Sequence, residues 1–426
     1  MIRQLHINNY KSLSDLTLEV GRFNVLIGEN GCGKSNVLEA IALAAAATAN
    51  KLDNEFLASR GIRVTEPQLM RAAFSDENLT DPIQIIIGLD NLDKVKYTLT
   101  NDNQPYAKWT RLVDRNYRNL FEVAMELANK EIEENKSFLP QKIDQDVIEK
   151  TFRLVAETYA ATSDPTRMKT IFLAAKDIFL VASNYLKPHE IAENYLDFYK
   201  DIFSNEEKLK AFLIYSPENS ALRNFSKEGQ IEPLGINGEG LLKLLIVIQS
   251  KSPEQFAEIH TCLQLFDWYD GIEIPKDLSH YEDKVTITDR FLSSAFDQRS
   301  ANEGFLFVLF YIALMVSDDT PKIFAIDNID VALNPKLCTK LIKELVRLAK
   351  KYDKQVFVTT HNPAILDGID LGDDEQRLLV LSRNKQGHTR FKRITLQDKP
   401  RSSTHEELKL SEAFLRGYLG GLPKGF

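Results

Sequence analysis

Cysteine is scarce in this chain. The three present, Cys32, Cys262 and Cys338, lie far apart, which excludes a disulfide framework and the clustered spacings of zinc ligands. Positive charge is also short. Lys and Arg number 53 against 61 Asp and Glu, a formal charge of −8, so no overall pull toward nucleic acid or anionic membranes follows, although a local basic patch stays compatible with it. Long hydrophobic runs are missing too. The longest, Phe305 to Val316, is too short to span a bilayer. The first residues, Met1 to Lys11, are too polar for a signal peptide. The expectation is a cytoplasmic protein without a membrane partner. There is no internal repeat, and the only biased segment, Ala44 to Ala47, is good helix sequence. What is present is ordinary for a globular protein: 426 residues, 43% hydrophobic and 27% charged, enough for two or three lobes around a sizeable core.

One stretch organises the rest. Phe23 to Ile27 is a short, mostly apolar run that reads as a buried strand, and it enters Gly28-x-x-x-x-Gly33-Lys34-Ser35. Val37 to Ala47 then reads as a helix. Strand, glycine loop, Lys-Ser and helix is the context that gives the P-loop pattern a physical meaning. Glycines let successive backbone N–H groups converge on one phosphate, and the helix N-terminus adds partial positive charge. Asn30, Gly31, Cys32, Gly33, Lys34, Ser35 and Asn36 are the expected nucleotide-binding residues. Lys34 would reach the outer phosphates and Ser35 would ligate Mg²⁺. Cys32 inside such a loop suits a reducing compartment.

Strands are expected over Leu5–Asn8 and Leu16–Val20, joined through Tyr10-Lys11-Ser12, and a hairpin over 82–89 and 94–100. Together they suggest an antiparallel layer beside the P-loop sheet. From 112 to 213 apolar positions recur at helical spacing, as in Leu120, Val123, Ala124 and Leu127, which predicts an inserted lobe of amphipathic helices whose apolar faces pack on one another. Residues 214–240 return to turn chemistry. Helices are expected over 241–249 and 253–266, the latter with Ser252 as N-cap and Pro253 at its first position, and a short strand near 285–288. At the C-terminal end, 377–382 and 389–394 read as paired strands, and 406–419 as a helix stopped by Gly420-Gly421.

Lys322 to Asp327 is an apolar strand ending in an acid, the shape that holds Mg²⁺ beside a P-loop. Asn328-Ile-Asp330 and Leu333-Asn334-Pro335 follow, with Pro335 opening a helix. Gln355 to Thr360 is another buried strand, and His361 comes directly after it, placed to bond a γ-phosphate or the attacking water. Upstream, Asn302-Glu303-Gly304 precedes the apolar helix 305–316 and presents a helix N-terminus. Standing alone, that turn reads better as an ordinary capped helix start.

Taken in order, these segments resemble the ABC-type ATPases of the SMC, RecF and OLD-like branch. Gly28–Ser35 matches the Walker A, Asp327 the Walker B acid, Leu333-Asn-Pro the D-loop and His361 the switch histidine. Asn302-Glu303-Gly304 looks like the signature loop, with Asn where Ser is usual. The resemblance implies an α/β fold with a P-loop NTPase core of ABC-ATPase type, an antiparallel β layer and an inserted helical lobe. The core would be split into 1–111 and 214–426 by the insert at 112–213. It implies ATP and Mg²⁺ as cofactors and an ATP-sandwiched homodimer or higher oligomer, with Asn302, Glu303 and Gly304 closing the partner's nucleotide. Moving such a two-state equilibrium from mostly open to mostly closed takes about 5 kcal/mol of differential binding, within reach of two sandwiched ATP molecules.

One departure stands out. Asn328 occupies the position of the usual catalytic Glu, and an amide cannot take a proton as a carboxylate does. Hydrolysis is then slow and ATP mainly holds a dimer together, or Asp330 or His361 serves as the base, or the amide is an introduced substitution that traps the bound state. The carboxylates Asp370, Asp373 and Asp374 read as a solvated turn. About 65 residues follow His361, fewer than a nuclease domain of the kind found in OLD proteins needs, so such an effector is expected as a separate chain. The helix at 340–354 carries Lys340, Lys343, Arg347, Lys350, Lys351 and Lys354, a solvated face or a nucleic-acid or partner surface. The leading expectation is an ATP-dependent switch that scaffolds a separate effector in anti-phage defence. The alternative is a RecF-like or SMC-like DNA-repair ATPase that clamps duplex DNA. A transporter cassette ranks last, because the signature loop follows the helical insert at a distance.

Overall fold

The computed structural model describes residues 1–74, 79–90, 94–115, 205, 207–224, 233–275, 284–400 and 408–422. Most of the helical lobe expected at 112–213 lies outside the described residues. Three sheets organise the rest. The central one has six strands in the order β14-β13-β3-β12-β11-β7. They are β3 (Phe23–Gly28), β7 (Ile214–Tyr215), β11 (Ile323–Ile326), β12 (Gln355–Thr360), β13 (Gln376–Arg383) and β14 (Thr389–Ile394). All are parallel except the edge strand β14. Every residue of β3, β11 and β12 is buried, as expected for parallel strands covered on both faces.

The second sheet is antiparallel, in the order β2-β1-β4-β5-β6, from β1 (Ile2–Tyr10), β2 (Leu13–Glu19), β4 (Ile83–Leu89), β5 (Lys94–Thr100) and β6 (Thr110–Arg115). This is the expected antiparallel layer, and its last strand continues it to Arg115, past residue 111. The third is a small sheet of β8 (Tyr269–Glu273), β9 (Thr286–Asp289) and β10 (Phe296–Asp297). Nine helices occur among the described residues with printed bounds: α1 (Lys34–Thr48), α2 (Asn54–Ser59), α3 (Pro67–Met70), α4 (Asn219–Arg223), α5 (Leu241–Lys251), α6 (Pro253–Leu263), α7 (Glu303–Val316), α8 (Pro335–Lys351) and α9 (Leu410–Leu415).

Two hydrophobic cores flank the central sheet. Alternate residues of β3 point to opposite faces: Phe23, Val25 and Ile27 join the core built on α5, α6, α7 and α8, and Leu26 joins the core of α1 and the antiparallel layer. Helix α1 is thus enclosed, and Val37 to Thr48 are all buried. The alanine run that read simply as good helix sequence has a second reason. A helix walled in on every side needs small residues where backbones approach. Helix α7 is likewise buried from Gly304 to Val316, which accounts for the longest apolar run in the chain.

Several local expectations change. Ile214–Tyr215, read as turn chemistry, is the edge strand β7, recruited because Ile214 and Tyr215 register with Ala325 and Ile326. Ser252 occupies the N-cap of α6 with Pro253 at its start, but its side chain makes no capping bond. The C-terminal helix is shorter than 406–419 among the described residues. It begins after an extended Lys409 and ends where Gly417 turns left-handed, with φ 78°. Helix α8 stops at Lys351, so Lys354 lies beyond it, just before β12.

Candidate nucleotide-binding site

The site forms at the carboxyl ends of β3, β11 and β12, the crevice where open α/β sheets bind ligands. Gly28 and Gly33 shape the loop. A Cβ on Gly28 would lie 2.2 Å from the Leu381 carbonyl oxygen of β13. One on Gly33, at φ 105°, would lie 2.3 Å from Thr389 Oγ1 and 2.7 Å from Ser12 Oγ. Both positions therefore require glycine. Gly33 also serves as the N-cap of α1, so the helix N-terminus opens directly from the loop.

Lys34 is buried, and its ammonium donates to the carbonyls of Gly28 (2.9 Å) and Glu29 (3.0 Å). Burial lowers its pKa, against the raising influence of Cys32, Asp327, Asp330 and Glu29. A phosphate oxygen would meet a lysine already folded over the loop. Ser35 Oγ donates to Asp327, 3.0 Å from Oδ2 and 3.2 Å from Oδ1. Thr359 Oγ1 donates to Asp327 Oδ1 from the other side. Two hard oxygen donors from distant segments thus meet at one point, a pair of the kind that Mg²⁺ takes.

Beside this pair, Asn328 sits in the left-handed region, with φ 54°. Asn is among the few residues that tolerate that conformation through local hydrogen bonding. Its backbone N–H donates to Thr359 Oγ1 at 2.9 Å. The turn places Asp330 toward the end of β12, where Oδ1 accepts from Thr360 Oγ1 (2.6 Å) and from the His361 backbone N–H (3.4 Å). His361 is exposed. Partial burial of its ring and the nearby Lys34 lower its pKa, against Asp330 and Asp327, which favours the neutral imidazole.

The structure brings together Lys34, Ser35, Asp327, Asn328, Asp330 and His361. It places Asn302, Glu303 and Gly304 elsewhere. Asn302 is the N-cap of α7, its side chain accepting from the Phe305 N–H at 2.8 Å. Gly304 packs on the D-loop segment, where a Cβ would lie 2.8 Å from the Ala332 carbonyl oxygen. Among the described residues no hydrogen bond joins this turn to the P-loop of the same chain.

Four participants escaped the sequence. Thr359 and Thr360 were legible only as strand residues, although two hydroxyls ending an apolar strand are a signal. Thr389 Oγ1 donates to the Cys32 carbonyl (2.8 Å), and Ser12 Oγ lies 2.7 Å from Thr389 Oγ1 and accepts from Asn36 Nδ2 (2.8 Å). These last two come from β14 and the β1–β2 turn, and no local pattern points to them. Behind them the buried Glu39 of α1 binds Lys11 and Arg63, and Arg63 reaches Asn36 Oδ1 at 3.0 Å.

The other charged clusters are internally matched. Arg347 and Lys351 of α8 pair with Glu258, and Arg347 also pairs with Glu344, so the basic helix is partly neutralised by its neighbours. Asp370 accepts from the Gly372 N–H, Asp373 accepts from the Glu375 N–H, and Asp374 pairs with Arg377 and Arg393, as a structured turn does. No helix among the described residues is long and apolar enough to cross a membrane.

Residues 23–367 match the family described as "AAA domain, putative AbiEii toxin, Type IV TA system". A curated relative, the uncharacterized protein MJECL10 of Methanocaldococcus jannaschii, is 30% identical over 115 residues, covering 25% of this chain and 50% of its own. The chain thus matches half the length of that relative. Among solved structures, the SMC head bound to the C-winged helix domain of ScpA aligns with a TM-score of 0.50 at 12% identity, covering 93% of this chain and 98% of its own. The SMC head domain from Thermotoga maritima aligns at 0.43, also with 12% identity, over 93% of this chain and 99% of its own. At 12% identity the likeness to the ScpA-bound head speaks of fold alone. The family match spans most of the chain and includes the P-loop, the Asp327 strand and His361, so this protein belongs to the AbiEii-type AAA family, a P-loop ATPase whose core has the fold of SMC heads.

Proposed function

We propose that the chain binds Mg-ATP at this site, hydrolyses it slowly, and closes head-to-tail on a second copy to switch a separate effector, such as a nuclease, in anti-phage defence. The observation that carries the reading is the convergence of Lys34, Ser35 and Asp327 at the open end of the sheet, with Asp327 fixed by Thr359. When bound, Mg²⁺ would be held by Ser35 and, directly or through water, by Asp327, and would neutralise charge on the outer phosphates. Lys34 would exchange its carbonyl partners for phosphate oxygens. The backbone N–H groups from Asn30 to Asn36 would cradle the β-phosphate.

Slow turnover follows from Asn328. It stands at the position of a catalytic carboxylate, and an amide cannot accept the proton of an attacking water. Asp330 is the nearest replacement by position, but one of its oxygens is already engaged by Thr360 and His361, which favours a positioning role for it. His361, exposed and with its neutral imidazole favoured, is suited to accept from water or to donate to a γ-phosphate. The turn of Asn302, Glu303 and Gly304 caps α7 and packs on the D-loop segment of its own chain, an arrangement compatible with its use in trans on a second copy. A family description that names a toxin of a type IV system, and a structural neighbour whose own title records a bound partner protein, support a switching role with a separate partner. The DNA-clamp reading is weaker, because α8 spends Arg347 and Lys351 on Glu258 and Glu344.

The test is mass in solution with and without Mg-ATP, on wild type and Asn328→Glu, with released phosphate followed in the same samples. The expected result is an ATP-dependent dimer or larger assembly with little phosphate release, converted to faster turnover by the glutamate. Brisk hydrolysis by the wild type, unchanged by Asn328→Glu, would overturn the slow-switch reading and make DNA the next ligand to try.

A further inference from the structure

Strand β3 delivers the P-loop between two neighbours, β12 on one side and β13 on the other. Asp327, Asp330, Thr360 and His361 all stand on the β11–β12 side. On the Mg-ATP reading, on which this inference rests, the metal and terminal phosphate lie there. The α-phosphate and nucleoside must then leave the loop at its opposite end, past Asn36 and toward the β13–β14 turn. Ser12 marks that exit, bonded to Asn36 on one side and to Thr389 on the other.

The residue before Thr389 is His388. Its Nδ1 lies 3.0 Å from Ser14 Oγ, which fixes the ring against the start of β2, two residues from Ser12. Against it rests Phe74, with ring centroids 4.2 Å apart and planes tilted by 48°. Phe74 is 40% exposed. Holding a phenyl ring half in water forgoes the favourable burial of a large apolar side chain, and here the ring is anchored to a histidine one residue from the P-loop's own support. The ring also packs on Gly387 of the β13–β14 turn, where a Cβ would lie 3.3 Å from Phe74 Cε1, and still keeps that exposure. A rigid aromatic face at the nucleoside exit has the chemistry to stack a base, an interaction that every base offers through its π-face.

We propose that Phe74 and His388 form the nucleobase platform of this site, with the purine base of ATP stacking on the exposed face of Phe74. His388 orients that ring and presents its second ring nitrogen beside it.

The experiment is equilibrium binding of Mg-ATP and of Mg-tripolyphosphate to the full chain, as wild type, Phe74→Ala, His388→Ala and Phe74→Trp. Tripolyphosphate occupies the P-loop without a base. The expected result is that Phe74→Ala weakens Mg-ATP by about tenfold, the scale of one base–aromatic stack, and leaves tripolyphosphate unchanged. His388→Ala should act in the same direction but less, and Phe74→Trp should restore ATP affinity with indole emission that ATP quenches and tripolyphosphate does not. Equal loss of both ligands in Phe74→Ala would make Phe74 a support of the loop and overturn the platform. Unchanged ATP binding in Phe74→Ala would overturn it as well. Wild type that binds neither ligand would instead remove the P-loop reading, and the platform with it.

Discussion

The two flanks of the P-loop strand are built from different chemistry. On the β11–β12 flank the groups are charged or titratable: Asp327, Asp330 and His361, with Thr359 and Thr360 bridging them. On the β13–β14 flank they are neutral: Ser12, Thr389 and Asn36 in one chain of hydrogen bonds that ends on the Cys32 carbonyl. The first flank stands where charge must be neutralised and protons moved. The second only has to hold a loop in shape, and hydroxyls do that without placing an uncompensated charge behind a phosphate. The bonds that hold the loop directly on this flank are neutral, and the paired charges of Glu39, Lys11 and Arg63 lie one layer behind them.

This contrast predicts a ranked set of outcomes. The largest effect is expected on the loop itself. Lys34→Ala removes charge-assisted bonds to the outer phosphates, worth about 1.5–3 kcal/mol each, and should weaken Mg-ATP binding by about 10³-fold in calorimetry. Unchanged affinity would break the assignment of the site. Next comes the charged flank. His361→Ala should abolish most ATP-driven assembly while leaving ATP affinity within about tenfold, as followed by light scattering. Assembly equal to wild type would remove the sensing role. On the neutral flank, Thr389→Val keeps the volume but orphans the Cys32 carbonyl, costing about 1–3 kcal/mol. It should weaken tripolyphosphate and ATP alike by about tenfold. An effect on ATP alone would mean that the neutral flank touches the nucleoside rather than the loop.

The smallest expected effect tests a charge far from the site. Lys354 is fully buried just before β12, its ammonium surrounded by the carbonyls of Ser317 (2.7 Å), Thr320 (3.0 Å) and Pro321 (3.2 Å) and by Thr320 Oγ1 (2.9 Å). The four oxygens favour its ammonium and burial opposes it. Burial prevails, with Lys322 adding to it, and lowers the pKa to about 7. A folded-state value below the unfolded one means that the unfolded chain binds the extra proton. Stability from this group is complete above about pH 10.5 and is lost as pH falls through about 7. Denaturant midpoints of wild type should thus rise between pH 7 and 9 relative to Lys354→Met, whose own slope should be flatter. Parallel pH profiles would show that the lysine keeps its charge in the fold, and Mg-ATP affinity should not change in either case.

Legibility followed the same division. Gly28 to Ser35, Asp327 and His361 were readable because each is a residue of special chemistry at the end of an apolar strand. Asn328 was readable as a departure, but its reason for being Asn was not. The left-handed backbone at φ 54° is set by the turn into Asp330, and an amide suits it. A glutamate there should carry about 1 kcal/mol of backbone strain, a cost to weigh against the turnover it is expected to restore. Strand β7 was not readable, since two residues of Ile-Tyr carry no periodicity and become a strand only because β11 offers them an edge. The basic helix was readable as charge but not as function, because its acidic partners, Glu258 and Glu344, include one contributed by α6.

The sequence by itself determined the phosphate-binding loop, the strand and acid that face it, the antiparallel layer and the order of these segments. Each of those rests on local chemistry or on a period of two or 3.6 residues, which a single stretch of chain carries complete. Only the tertiary structure decided that Thr389 and Ser12, separated by most of the chain, meet behind Gly33. It also decided that Asp330 is held by Thr360, that the signature-like turn packs on the D-loop segment of its own chain, and that Phe74 stands beside His388 at the β13–β14 turn. Those pairings join residues tens to hundreds of positions apart, 30 for Asp330 and Thr360 and 377 for Ser12 and Thr389, and no local pattern records which distant segment a fold will bring into contact.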